Sequence, residues 1–173
     1  MSWRSATGWT ALFLALAIVG GGLRLSGCGG GEGRLEGRVS ARIVRVVDGD
    51  TVVARVGDAT ERVRYIGVDT PESVKPDTPV QCFAKQAAAA NRRFVEGRRV
   101  TLLIGREGRD RYGRLLAYVF VGGSDRSVNA TLVARGFGHV LTIPPNDSQA
   151  PAYRRLERRA RQRAAGLWGA CAL

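Results

Sequence analysis

Three short segments rich in β-branched residues follow one another over residues 38–67, and they constrain the fold more than any other feature of the chain. They read RVSARIVRVV, TVVARV and RVRYIGV, a composition and alternation typical of half-buried strands. Gly49, within a DGD sequence, and Gly57 interrupt the pattern where tight turns are needed. The sequence therefore predicts a three-stranded meander.

The remainder of the chain adds two strands and three helices. Residues 81–96 are Ala-rich and contain no Gly or Pro, which predicts a helix that ends at Gly97. The other predicted elements are strands at residues 99–104 and 114–121 and helices at residues 127–136 and 148–165. Five strands with intervening helices predict a β-rich α+β fold, built on a small five-stranded β-barrel of the oligonucleotide/oligosaccharide-binding (OB) type with three α-helices.

The N-terminal segment has the marks of a targeting sequence. Residues 11–19 (ALFLALAIV) form an apolar run of signal-peptide length, too short to span a bilayer comfortably. The run leads to LSGC, ending at Cys28, which resembles the lipobox of bacterial lipoproteins, where the Cys is lipidated. We therefore predict a lipoprotein-type signal peptide at residues 1–27, a Gly-rich tether at 28–37 and one folded domain at 38–173. An ordinary cleaved signal peptide and an uncleaved membrane anchor are the alternatives.

The cysteines are consistent with export. The chain has three, and if Cys28 carries lipid, Cys82 and Cys171 remain. An even remainder in an exported protein predicts a disulfide between them, with two buried free thiols as the alternative. The predicted location is extracytoplasmic, either lipid-anchored to the membrane or secreted.

The chain is strongly basic. Its 27 Lys and Arg against 15 Asp and Glu give a formal charge of +12, which favours a polyanionic partner. Nucleic acid fits, because phosphate neutralisation supplies most non-specific binding, and an anionic membrane surface fits as well. A biased amino-acid usage is the third explanation. The last predicted helix has an arginine-rich outer face, interpreted as solvated, made of Arg154, Arg155, Arg158, Arg159, Arg161 and Arg163.

Acidic residues are few, and four of the fifteen lie at two turns. Asp48 and Asp50 lie in the first turn, and Asp69, Thr70 and Glu72 follow the third strand. If adjacent strands pair, the two turns converge into a site of carboxylate and carbonyl oxygens, which suits calcium or magnesium. Zinc is disfavoured, because one His and three scattered Cys give no paired ligand spacing. Each turn alone is ordinary structure, so a functional interpretation needs a third element.

That third element is a charged segment, DRYGR at residues 110–114, which opens an otherwise apolar strand. Together with VDGDT at 47–51 and RYIGVDTPE at 64–72, it resembles the three signature segments of the staphylococcal nuclease, or thermonuclease, family. The resemblance extends over about residues 39–168. It implies a five-stranded barrel with three helices that cleaves DNA and RNA in a calcium-dependent reaction.

The resemblance also implies the metal ligands. Asp50 and Asp69 match the positions whose carboxylates bind calcium, and Thr70 matches a position that contributes its backbone carbonyl. Asp48 and Asp110 match supporting acids. Calcium is therefore the expected cofactor.

Further positions are implied to act on the substrate. Glu72 matches the residue that holds or deprotonates the attacking water, and Arg64 and Arg114 match the arginines that bind the scissile phosphate. Arg111 and Tyr112 match contacts to a 3′-phosphate or nucleotide. Guanidinium groups suit this role because their planar fork donates two hydrogen bonds to phosphate oxygens.

One segment departs from the family pattern. Residues 139–144 read HVLTIP, where the best-known member has tyrosines that flank the bound nucleotide. No aromatic residue stands there for base stacking, so the resemblance implies no base affinity or preference.

Two other functions compete with an exported calcium-dependent phosphodiesterase. One is a non-catalytic OB-type nucleic-acid-binding module at the cell envelope, and the other is an envelope protein whose basic face binds anionic lipid. The presence of every acid and arginine in the family pattern favours catalysis. We expect the protein to act as a monomer.

Overall fold

The computed structural model describes residues 35–73 and 79–171. The predicted signal peptide, Cys28 and the first part of the predicted tether lie outside these residues. None of the helices in the described ranges combines the length and the apolar character that crossing a bilayer requires.

Five strands form a closed barrel in the order β1-β2-β3-β6-β5. They are β1 (Arg38–Val46), β2 (Thr51–Val56), β3 (Ala59–Tyr65), β5 (Arg99–Arg109) and β6 (Leu115–Val121). Neighbouring strands are antiparallel except β3 and β6, which run parallel. The first three strands form the predicted meander, and the predicted five-stranded barrel is confirmed.

Strand β5 is longer than its sequence predicts. The prediction ended it at residue 104, because a charged stretch follows, but the strand continues to Arg109. The extra residues belong to a ribbon whose polar side chains are largely exposed, so their charge does not oppose strand structure. Arg109 forms two hydrogen bonds with the Glu61 carboxylate, at 2.9 and 2.7 Å, which tie the ribbon to β3.

Three helices correspond to the three predicted: α1 (Ala84–Val95), α2 (Val128–Ala134) and α3 (Ala150–Gln162). A one-turn helix that was not predicted, α4 (Leu167–Ala170), follows them. Ser127 caps α2 as predicted, because its side chain accepts a hydrogen bond from the Ala130 N–H at 3.1 Å.

Two further strands, β4 (Val68–Asp69) and β7 (His139–Val140), pair with each other outside the barrel. Two-residue strands are too short to give a periodic signal, so the sequence did not reveal them. Their pairing places Asp69 opposite His139 and thereby joins the end of the meander to the segment before α3.

Apolar side chains from all five barrel strands fill the interior. Ile43, Val52, Val63, Leu102 and Val119 are fully buried, one from each strand. Burying such a side chain contributes roughly 1.5–3 kcal/mol relative to exposure. This packed interior is the rigid support for the polar turns described next.

Candidate active site

The turn between β1 and β2 holds a buried carboxylate. Asp50 is 4% exposed, and its backbone N–H donates to Asp48 Oδ1 at 3.0 Å, so the turn is closed by its own side chain. Asp50 Oδ2 accepts hydrogen bonds from the Thr70 N–H at 2.7 Å and from the Thr70 hydroxyl at 3.0 Å. Glycine is needed at position 49, because a Cβ there would lie 2.5 Å from Thr70 Oγ1. The two acidic segments therefore converge.

Arg64 joins two of the predicted metal ligands. Only 12% of its side chain is exposed, and its Nε lies 3.2 Å from Asp50 Oδ1. Its Nη2 donates to Asp69 Oδ1 at 2.7 Å, and its Nη1 donates to the carbonyls of Tyr65 and Val68 at 2.8 and 2.7 Å. Because all three guanidinium nitrogens have partners, the orientation of the Arg64 side chain is set by the protein itself.

Arg64 and Asp69 meet only because the chain bends between them. Strict alternation along a strand would place them on opposite faces. Gly67 adopts a φ of 81°, a left-handed conformation that glycine tolerates, and β4 then runs beside β7 with Asp69 opposite His139. A Cβ at Gly67 would also lie 2.8 Å from the Tyr153 ring, so both the conformation and the packing require glycine.

The oxygen donors suit the calcium ion that the resemblance implies. The Asp50 and Asp69 carboxylates lie close together, since both reach one guanidinium group, and Thr70 follows in sequence with its carbonyl. Within residues 35–73 and 79–171, no three His, Cys, Asp or Glu side chains are grouped as a ready-made metal site. Two carboxylates and a carbonyl are hard oxygen ligands, and such cations complete their coordination with water. The oxygen donors of Asp50, Asp69 and Thr70 are therefore of the chemical type that calcium prefers.

Asp48 lies next to the buried Asp50 carboxylate in this turn. Burial, together with repulsion from the Asp50 carboxylate, raises the pKa of Asp48 to about 6. Asp48 is thus a carboxyl group whose charge the folded protein disfavours.

Asn91 of α1 supports the same turn from inside the protein, and the sequence analysis did not identify it. Its side-chain N–H donates to the Asp48 carbonyl at 3.1 Å, and its Oδ1 accepts from the Tyr65 hydroxyl at 3.0 Å. Asn91 is fully buried. The sequence did contain a signal that could have identified Asn91. Its side-chain amide lies four residues after Ala87, on the apolar face of the predicted helix.

Glu72 follows the bend and lines the same cavity as Asp50 and Asp69. Its backbone N–H donates to Gln81 Oε1 at 2.8 Å, and the Gln81 N–H donates back to the Glu72 carbonyl at 3.0 Å. These two bonds tie the segment to the residues before α1. Glu72 Oε1 accepts from the Ser73 N–H at 2.9 Å, which orients the carboxylate.

The turn between β5 and β6 is organised by one carboxylate, that of Asp110. Oδ1 accepts from the N–H groups of Tyr112 at 2.9 Å and Arg114 at 3.0 Å, and Oδ2 accepts from Arg114 Nε at 2.7 Å. Burial alone would raise the pKa of Asp110, but the hydrogen bonds and charge of Arg114 and the Tyr112 N–H outweigh it and lower this pKa. Asp110 thereby orients Arg114.

Tyr112 and Arg111 form the outer edge of this turn. Arg111 Nη2 donates to the Tyr112 hydroxyl at 2.7 Å, and its guanidinium carbon lies 4.8 Å from the ring centroid. The guanidinium of Arg114 lies 5.4 Å from the same centroid. Tyr112 is nevertheless 68% exposed, so its ring is available to a ligand.

Arg64 and Arg114 stand at the boundary between two cavities. The smaller one, the acid cavity, has a volume of about 70 Å³. Its remaining lining residues are Asp48, Asp50, Thr51, Asp69, Thr70, Pro71 and Glu72. The larger one, the cleft, has a volume of about 470 Å³ and is bordered by Asp110, Arg111 and Tyr112. The structure thus brings the predicted metal, water and phosphate residues around one cavity and the predicted nucleotide contacts around the other.

The far wall of the cleft is aliphatic. Leu141 and Ile143, in the segment after β7, line the cleft at 36% and 57% exposure. Asn146 holds this wall to β5, because its Oδ1 accepts from the Glu107 N–H at 3.2 Å and its Nδ2 donates to the Glu107 carbonyl at 2.9 Å. Glu107 was not identified from the sequence, since an exposed acid on a charged ribbon carries no signal of its own.

Cys82 and Cys171 are joined by a disulfide, with their Cα atoms 6.0 Å apart. The bond links the residues before α1 to the residue after α4, across a sequence separation of 89. The third cysteine, Cys28, lies outside the described residues.

Comparison with known proteins gives one family match. Residues 62–170 match the model of the family described as "Staphylococcal nuclease homologue". The matched range includes Arg64, Asp69, Glu72 and Arg114.

Alignments with similar proteins extend over most of the chain. A thermonuclease of Staphylococcus intermedius is 40% identical over 126 residues, which are 73% of this chain and 74% of that protein. A thermonuclease of Staphylococcus hyicus is 34% identical, over 73% of this chain and 74% of its own length. The endonuclease YncB of Bacillus subtilis (strain 168) is 35% identical over 132 residues, 75% of this chain and 62% of that protein.

Proposed function

Since this chain belongs to the staphylococcal nuclease family, we propose that it is a nuclease that hydrolyses phosphodiester bonds of DNA with the help of a bound calcium ion. The thermonuclease and endonuclease relatives support the type of reaction. RNA is a second proposed substrate, because the residues assigned to the reaction would act on the phosphate and the metal rather than on the sugar.

One observation carries the proposal: Arg64 and Arg114 both border the acid cavity, which also contains Glu72. A phosphate at this boundary would meet two guanidinium groups and a carboxylate able to hold water. These three residues come from β3, the loop after β4 and the β5–β6 turn, so only the folded barrel brings them together.

The reaction needs charge to be neutralised on a phosphodiester. Attack by water adds negative charge to oxygens that already repel a nucleophile, and the positive charges of Arg64 and Arg114 offset it. Glu72 orients the water and accepts its proton as the new P–O bond forms, while the ester P–O bond opposite breaks and the leaving oxygen takes up a proton from solvent. Asp50, Asp69 and the Thr70 carbonyl would hold calcium, which supplies Lewis-acid stabilisation of the phosphate.

The assay is cleavage of single-stranded DNA by the purified chain, with calcium and then with a chelator. We expect fragments with calcium and intact strands with chelator. Binding without scission, unaffected by chelation, would instead support the non-catalytic module.

Calcium binding has a readout of its own. In calorimetric titration, Asp50→Asn should weaken calcium binding, because it removes a ligand charge from the acid cavity. Asp58→Asn is the matched control, since Asp58 is an exposed acid in the β2–β3 turn. Equal calcium affinity in all three proteins would contradict the assignment of Asp50.

Export and lipid anchoring through Cys28 are proposed on the leader sequence, and the Cys82–Cys171 disulfide supports an oxidising compartment. Cys28→Ala should release soluble nuclease from the membrane fraction. Continued sedimentation with membranes would argue for an uncleaved anchor.

A monomer is proposed as well, and light scattering on the purified protein tests it.

A further inference from the structure

The outer surface of α3 carries a dense cluster of positive charge. Six exposed arginines form it, and we call this surface the arginine face: Arg154, Arg155, Arg158, Arg159, Arg161 and Arg163. Tyr153 and Ala160, on the opposite side of the helix, are buried. The face is therefore an outward surface of a helix that is anchored by its apolar side.

The arginines of this face are little neutralised. Glu157 is the one acid within α3, and its Oε1 accepts from the Val140 N–H at 3.0 Å and lies 3.3 Å from Arg161 Nη2. Within residues 35–73 and 79–171, no carboxylate lies within 4.0 Å of the guanidinium nitrogens of Arg155, Arg158 or Arg159.

That arrangement is unfavourable for an isolated helix. Arg155 and Arg159 are four residues apart, as are Arg154 and Arg158, and like charges at that spacing destabilise a helix. A solvated face normally interleaves acids with bases, as oppositely charged pairs at that spacing stabilise it. A run of this kind is better matched to a polyanion that supplies the missing negative charge.

The arginine face begins beside the cleft. Arg154 Nη2 donates to Thr142 Oγ1 at 3.3 Å, and Thr142 stands between Leu141 and Ile143, which line the cleft. The same segment starts at β7, whose pairing with β4 holds Asp69 at the acid cavity. A continuous stretch of chain therefore connects the proposed reaction centre to the first arginine of the face.

We propose that the arginine face is an extended binding surface for the sugar-phosphate backbone of the substrate strand, beyond the nucleotide that occupies the cleft. This inference rests on the proposed nuclease function and deepens it, because it assigns a second contact region to the same polymer. Arginines on a helix surface contact phosphates without reading base edges, so the surface is independent of sequence.

The dimensions are compatible with several phosphates. From Arg154 to Arg163, the residue that follows the last turn of α3, the rise is about 14 Å, at about 1.5 Å per residue. One strand of a duplex carries a phosphate about every 3.4 Å along its axis, which sets an upper limit of roughly four phosphates; an extended single strand would place fewer along the face. Arg155, Arg158 and Arg159 lie within an arc of about 100° of the helix surface, at about 3.6 residues per turn. These three are the arginines to test together.

The experiment compares a long and a short substrate. The variant Arg155→Gln/Arg158→Gln/Arg159→Gln is assayed with a single strand of about 30 nucleotides, longer than a single OB-type barrel covers, and with a trinucleotide that fills only the cleft. We expect KM for the long strand to rise roughly ten-fold or more at low salt, with trinucleotide cleavage unchanged. The slope of log KM for the long strand against log salt should fall by about 2, since each phosphate contact on single strands contributes about 0.7.

A matched variant controls for the loss of net charge. Arg42, Arg45 and Arg55 are exposed arginines of β1 and β2, and changing all three to Gln removes the same charge from a different surface. A smaller effect of this variant on the long strand supports the proposal. An equal effect would overturn it, because long-range electrostatics would then suffice.

Two other outcomes would also overturn the inference. One is an unchanged KM and salt slope in the α3 variant. The other is unchanged DNA kinetics combined with lost affinity for vesicles containing phosphatidylglycerol, which would assign the face to an anionic membrane. Failure of the nuclease proposal can be distinguished from failure of this inference, because the wild-type protein would then leave the trinucleotide intact. The affinity of the wild-type and variant proteins for the long strand, measured by fluorescence anisotropy in the presence of chelator, would still report on the arginine face.

Discussion

The acid cavity and the cleft share Arg64 and Arg114 but are built differently. In the acid cavity, Asp50 is 4% exposed and its carboxylate oxygens are held by hydrogen bonds or ion contacts from neighbouring segments. In the cleft, Tyr112 is 68% exposed and Ile143 57% exposed. The comparison indicates that the groups proposed to act on phosphate are preorganised, whereas those proposed to face the base form an open surface. Changes in the acid cavity should therefore lower kcat, and changes in the cleft should alter KM.

The largest effect is expected for Glu72→Gln. The amide can still hold water but accepts no proton, and general-base catalysis contributes on the order of 10² to 10⁴-fold in rate. We expect kcat to fall within that range with KM little changed, measured by single-turnover cleavage of DNA. Glu36→Gln, at an exposed acid before β1, is the control. A Glu72→Gln enzyme with normal kcat would remove the general base from the proposed reaction.

The next effect is expected for Arg64→Lys. Lysine keeps the charge but cannot contact Asp50, Asp69 and two carbonyls at once, so both the carboxylates and the phosphate lose fixed donors. We expect kcat to fall on the order of 10²-fold, by analogy with removal of one oxyanion donor.

Arg62→Lys, at an exposed position two residues earlier on β3, should be silent and serves as the control. Arg114→Lys should lose activity to a similar extent, because Lys cannot reproduce the contact of Arg114 Nε with Asp110. Near-normal turnover in either active-site variant would count against preorganised phosphate binding.

Much of the barrel was predictable from sequence, since its strands are long enough for alternation to show. Predicted strands and helices differ from the observed ones mainly at their ends, as in β5, where a charged ribbon continues the ladder to Arg109. The short strands β4 and β7 were not predictable, because two residues give no period. Their pairing depends on contacts between segments that are distant in sequence.

The candidate site likewise has features that the sequence predicted and features that only the fold reveals. Motif resemblance identified the acids and arginines, but strand parity could not say whether Arg64 and Asp69 meet. The bend at Gly67 decides that, and the close approach of Tyr153 from α3 leaves no room for a Cβ at this position. Asn91 was missed for a related reason: its role is a hydrogen bond to the Asp48 carbonyl, which only the packed helix reveals.

A moderate gain is expected from Leu141→Tyr. The wall of the cleft opposite Tyr112 is aliphatic at Leu141 and Ile143, and base–aromatic stacking is worth about 1 to 3 kcal/mol per base. We therefore expect KM for a trinucleotide to fall by roughly five-fold or more, with kcat unchanged, because the acid cavity is not altered.

Val44→Tyr, at an exposed position on β1, is the matched control for a new surface tyrosine. A fall in kcat with no change in KM for Leu141→Tyr would contradict the division between chemistry and base binding.

The smallest effect is expected from Asp110→Asn, which tests how the β5–β6 turn is held. The folded protein lowers the pKa of Asp110 from its ordinary 3.8, so the charged form stabilises the fold above that value, and this contribution is lost as pH falls through the lowered pKa. The pair is partly exposed, so we expect Asp110→Asn to reduce the free energy of unfolding by at most about 1 kcal/mol at pH 7.

The two proteins should converge in stability as the pH falls below about 4, which urea unfolding at several pH values would measure. Asp125→Asn, at an exposed acid after β6, should show no such convergence. A stability difference for Asp110→Asn that persists unchanged into acid would contradict this prediction. It would mean that the shape of the side chain at residue 110, rather than its charge, holds Arg114 in place. The β5–β6 turn would then be preorganised by packing, as the acid cavity is.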